Sequence, residues 1–218
     1  MQTVDIDTPH GPGKAHVHLA DGARAALVLG HGAGGGVETP DLAVATEVAL
    51  EEKVSVALFE QPYRVAGRRS PAPARQLDGA WTAAIASLRD GDLSGLPLIV
   101  GGRSIGARVA CRTAEEVGAI AVLCLAFPLH APGRGGNPKS SRLDELEQVK
   151  VPVLVVQGER DPFGMPPAGR NRTVVTVAGD HGLKADVEAV ADAVRDWLPG
   201  VLTRPGRRRT PTGRSSRR

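Results

Sequence analysis

The sequence predicts an α/β fold in which a mostly parallel central sheet carries helices on both faces. Three observations point there. Residues 54–59, 96–100, 120–127, 151–156 and 173–177 form near-continuous apolar runs, as strands do when both faces of their sheet are covered. Between and after these runs, Leu77, Ala80, Trp81, Ala84, Ile85 and Leu88 recur at helical spacing, as do Leu183, Val187, Val190, Val194 and Trp197. A chain of 218 residues is also long enough to bury about 70% of its unfolded surface in one core, with no disulfide or metal required.

In chain order, residues 1–14 are expected to be an N-terminal segment outside the domain, which spans 15–200. Segments 15–20 and 23–29 flank Asp21-Gly22, a two-residue turn signal, so the sheet is expected to open with an antiparallel pair. The first helix should start with Thr39 as cap and Pro40 at its first position. After the 54–59 strand, the Pro- and Arg-rich stretch 61–75 is expected on the surface near the site. Segment 128–150 holds only a short helical pattern at 143–149, which leaves no room for a cap domain.

The positive net charge belongs to the end of the chain. Residues 201–218 carry arginines at 204, 207, 208, 209, 214, 217 and 218 and no acid, so the remaining body is mildly acidic. This tail, rich in Arg, Pro, Gly, Ser and Thr, is expected to be disordered and to make at most a weak, salt-sensitive contact with a polyanion. Cys111 and Cys124 lie in apolar settings that suit reduced packing residues. With no leader pattern at Met1 and no membrane-length apolar run, the expectation is a cytoplasmic protein without membrane contact.

Chemistry is signalled first by Gly102-Arg103-Ser104-Ile105-Gly106, which follows an apolar strand and opens a helical segment. A G-x-S-x-G turn pushes its serine out of the sheet, and only glycine-sized residues fit two positions before and after it. A base and an acid should follow in the order Ser, Asp or Glu, His. Asp161, after the 151–156 run, and His181, after the 173–177 run, meet that order on loops at strand ends, with Glu159 and Asp180 as fallback acids and His130 as a rival base. Upstream, the small-residue loop Gly30-His31-Gly32-Ala33-Gly34-Gly35-Gly36 follows another strand, and the amides of Ala33 and Ile105 are assigned to the oxyanion hole. His31 is expected to order that loop. Arg103 either binds a substrate carboxylate or pairs with a neighbouring acid such as Glu60, and His130 is a candidate pocket residue. His16 and His18 share a strand face without an evident third ligand, so no metal and no cofactor are expected.

These residues support hydrolysis of a small carboxylic ester or thioester through an acyl-enzyme. Two other classes stay open: a hydrolase-fold scaffold that binds a partner without turnover, and a dinucleotide-binding reductase using Gly30-x-Gly32-x-x-Gly35. Against the latter, a Rossmann turn leads directly into its helix, whereas here the helix start comes several residues later.

Residues 29–36, 101–108, 127–130 and 158–164 resemble the small, lidless α/β-hydrolases of the dienelactone-hydrolase-like group. Within it they are most similar to the branch with testis-expressed and histone-acetyltransferase-complex hydrolase-like proteins. The resemblance spans roughly 15–199 and implies the α/β-hydrolase fold without a cap domain and a triad at Ser104, Asp161 and His181. True dienelactone hydrolases use a cysteine nucleophile; Ser104 stands in its place here, which points away from dienelactone as substrate.

Overall fold

A computed structural model describes residues 1–131, 133 and 140–203. The arginines from 204 onward, and the polyanion contact expected of them, lie outside these residues. Eight strands form one sheet in the order β1-β2-β4-β3-β5-β6-β7-β8. The strands are β1 (Gln2–Thr8), β2 (Gly11–His18), β3 (Ala25–Gly30), β4 (Val54–Glu60), β5 (Leu98–Arg103), β6 (Ala121–Leu125), β7 (Val153–Gly158) and β8 (Arg172–Val177). From β4 through β8 every pairing is parallel, and β1 and β2 join antiparallel at the edge.

The helices are α1 (Pro40–Glu51), α2 (Pro62–Val65), α3 (Ala74–Asp90), α4 (Ile105–Thr113), α5 (Leu143–Glu147) and α6 (Val187–Leu202). Strand side chains alternate across the sheet, so two cores result. Val28, Val100, Val122 and Val155 meet Trp81, Ile85 and Leu88 of α3 and Val109 of α4 on one face. On the other, Leu27, Leu29, Ile99 and Leu123 meet Leu42 and Val48 of α1 and Val190, Val194 and Leu198 of α6. All six α3 positions expected inward are buried. No described helix is long and apolar enough to cross a membrane.

Three expectations need correction. Residues 2–8 form a strand, with Ile6 buried beneath the sheet edge. And the turn at Asp21-Gly22 does not close an antiparallel pair: β2 runs antiparallel to β4, with Ala15 opposite Phe59, and β3 lies beyond β4 and parallel to it. The connection thus steps over one strand position, which the later β4 fills with the apolar run 54–59. At the far end, α6 runs to Leu202, with Val201 buried, two residues into the stretch expected as tail.

Candidate active site

The parallel strands β3, β5, β7 and β8 all end at the same rim, and the loops leaving them supply the site. Ser104 follows β5 and caps α4 with φ 54° and ψ −111°, a left-handed conformation unfavourable for a residue with a Cβ. Three contacts hold it there: its N–H donates to Leu125 O at 2.9 Å, and the backbone around Gly102 and Gly106 lies against β3. A Cβ on either glycine would fall on the Gly30 carbonyl, which is why both positions lack one.

Across the rim, His181 Nε2 stands 2.9 Å from Ser104 Oγ, and His181 Nδ1 stands 2.8 Å from Asp161 Oδ2. The carboxylate can only accept, so Nδ1 carries the proton and Nε2 is free to accept the serine O–H. Asp161 has a side chain 1% exposed and that of His181 is 18% exposed, so the acid is dry and the imidazole reachable. Asp161 Oδ1 accepts from the Phe163 N–H at 2.9 Å, and Oδ2 also accepts from Gln157 Nε2 at 2.7 Å. The Phe163 ring lies 4.4 Å from the imidazole, centroid to centroid, and walls one side of it.

The fallback groups are placed elsewhere. Glu159 is exposed and pairs with Arg160, and Asp180 accepts from the Gly182 N–H within its own turn. His130 packs against Gly164 and donates its backbone N–H to Phe163 O at 2.8 Å; the imidazole that reaches Ser104 is that of His181. Glu60 pairs with His16 at 3.0 Å, and no three potential metal ligands cluster among the described residues.

Ile105 is the first residue of α4, where N–H groups have no partner within the helix, and it directly follows the serine. The glycine loop after β3 is braced from below. The Gln61 N–H donates to His31 Nε2 at 3.1 Å, which fixes the proton on Nδ1, and Nδ1 donates to Gly32 O at 2.7 Å. Burial lowers the His31 pKa from 6.5, so the ring is held neutral. Tyr63 Oη donates to Ala33 O at 3.1 Å, and burial pushes this phenol up to about 12. The loop continues to Thr39 before α1 begins at Pro40, as the helix-start signals indicated, and a dinucleotide turn has no such interval.

Arg103 finds an internal partner, although not Glu60: Nε lies 3.0 Å from Oδ2 of Asp41, whose side chain is 0% exposed. Gln157, Phe163, Tyr63 and Asp41 escaped sequence reasoning. Gln157 left a trace as a polar residue near the end of the apolar run of β7, and Phe163 lay within the 158–164 segment without a role assigned to it.

The fold recurs in solved structures. Est1E from Butyrivibrio proteoclasticus superposes with a TM-score of 0.76 at 15% identity, covering 94% of this chain and 100% of that one. XC6422 from Xanthomonas campestris, described as a serine hydrolase without lid, gives 0.70 at 20% identity, with 91% and 95% covered. A dienelactone hydrolase from Anabaena variabilis gives 0.71 at 18% identity, with 91% and 96% covered. The sequence profile of the alpha/beta hydrolase domain matches residues 23–195, most of the length, and the chain therefore belongs to the alpha/beta hydrolase family.

Proposed function

We propose that this hydrolase cleaves a small carboxylic ester or thioester through an acyl-enzyme formed on Ser104. The observation that carries the reading is the unbroken hydrogen-bonded series from Ser104 through His181 to Asp161. Ser104 Oγ attacks the substrate carbonyl while His181 Nε2 takes its proton, and Asp161 holds the tautomer and stabilises the imidazolium that forms. The amides of Ile105 and Ala33 bind the oxyanion. His181 then returns the proton to the leaving alcohol or thiol, and a water activated by the same nitrogen releases the acid.

Within the family we place the chain in the lidless, dienelactone-hydrolase-like branch with testis-expressed and histone-acetyltransferase-complex hydrolase-like proteins, on the motifs at 29–36, 101–108 and 158–164. Free, buried Cys111 and Cys124 support a cytoplasmic setting.

The test is labelling with a fluorophosphonate and mapping of the adduct, followed by a panel of esters and thioesters varied in acyl length and charge. The adduct is expected on Ser104, and Ser104→Ala should lower kcat by at least about 10⁴-fold with the fold intact. An unlabelled wild-type protein, or a Ser104→Ala variant with normal turnover, rejects the reading.

A further inference from the structure

Arg103 sits beside the nucleophile, yet its guanidinium is directed into the protein toward three separate segments. Nε faces Asp41 Oδ2 at 3.0 Å, in the first turn of α1. Nη2 donates to the backbone carbonyl of His181 at 3.0 Å. Nη1 lies against the glycine loop, where a Cβ on Gly32 would come within 2.8 Å of it. Asp41 has no exposure, and neither of its oxygens has a hydrogen-bonding partner among the described residues. Its charge is therefore balanced by Arg103 and by the N-terminal dipole of α1.

An apolar side chain of similar volume would fill this space, but it would leave the loop carrying His181 without a donor for its carbonyl. A planar guanidinium holds two directions at once, which an ammonium does not. With Asp41 of α1 as its anchor, Arg103 joins three parts of the acyl-transfer machinery: the elbow by covalent connection, the oxyanion loop by contact, and the histidine loop by hydrogen bond.

We infer that the buried Asp41–Arg103 pair is a positioning device that holds the backbone of His181 and the loop at Gly32 in register with Ser104, so that proton transfer and oxyanion binding occur in one geometry. This rests on the proposed roles of Ser104 and His181. Arg103 then has no free charge to spend on a substrate carboxylate.

The experiment compares wild type, Arg103→Met, Arg103→Lys and Asp41→Asn on paired neutral and anionic esters, with fluorophosphonate inactivation rates measured in parallel. Arg103→Met is expected to lower kcat by roughly 10- to 100-fold, equally for both esters, with KM within about threefold and slower labelling to match. Arg103→Lys is expected to recover part of that loss. Asp41→Asn keeps the cation and should lower kcat at least threefold in the same pattern, and it decides the matter where Arg103→Met fails to fold by circular dichroism. Folded variants with kcat within twofold of wild type overturn the inference, as does a rise in KM confined to anionic esters, which would assign Arg103 to substrate binding. Failure of the wild type to label at Ser104 rejects the proposed function instead.

Discussion

Gln157 is the most informative place to perturb the site without touching a reacting group. Its side chain is fully buried at the end of β7, and Nε2 faces three acceptors: Phe127 O at 3.1 Å, Gly164 O at 3.0 Å and Asp161 Oδ2 at 2.7 Å. Gln157→Leu keeps the volume and removes the donor. The bond to the carboxylate contributes about 1.5–3 kcal/mol, and two carbonyls left unpaired in a dry site cost about 1 kcal/mol or more each. Leucine burial offsets part of this, leaving a destabilisation of roughly 2–4 kcal/mol. For a domain of this length that is a fall in Tm of roughly 5–15 °C by calorimetry. Asp161 retains the Phe163 N–H and His181 but is free to rotate, so kcat should fall by roughly 10- to 100-fold, short of the ~10⁴-fold seen when a triad carboxylate is replaced by an amide. Gln157→Glu should be worse at neutral pH, because it places a second carboxylate against the first. A Gln157→Leu protein with a Tm within 2 °C of wild type and unchanged kcat would refute the argument that this amide fixes the acid.

The braces under the glycine loop make two further predictions. His31 is held neutral, its pKa lowered by burial from 6.5, so the unfolded chain binds more protons than the folded one below that value. Its contribution to stability is complete above pH 6.5 and is lost as the pH falls from there toward the folded pKa; urea unfolding should show a shallower pH slope in that window for His31→Gln than for wild type. Tyr63→Phe deletes the bond to Ala33 O and should cost about 0.5–1.5 kcal/mol in denaturant titration. Because the loop it braces carries a proposed oxyanion donor, kcat should drop by roughly 3- to 10-fold with KM unchanged, a fraction of the ~10²- to 10³-fold cost of losing a donor outright.

The inner parallel strands were legible because they are buried on both faces and announce themselves as apolar runs, whereas β8, at the outer edge and partly exposed, showed through its β-branched residues; Val153–Gly158 differs from its expected span by only two residues at each end. The edge was harder. Gln2–Thr8 alternates Val4 and Ile6 with Asp5 and Asp7 over too few residues to stand out, and the position of β2 depends on pairing with β4 some forty residues later. At the site, chain order picked out Ser104, Asp161 and His181, whose side chains meet within hydrogen-bonding distance in the fold. It was silent on Asp41, since an acid near a helix start looks the same in sequence whether solvated or buried against an arginine. The partners of Gln157 and Tyr63 are likewise set by approach through space, which a single sequence does not record.

The contact of Gly102 and Gly106 with the Gly30 carbonyl has a consequence for how such a protein diversifies. Backbone pressed on backbone admits no compensating side-chain change, so the serine's scaffold is closed to gradual variation. Exposed side chains such as Arg68 and Met165 are free of that crowding and accept substitution without moving Ser104. Substitutions can therefore accumulate at such exposed positions while the turn that carries Ser104 stays fixed.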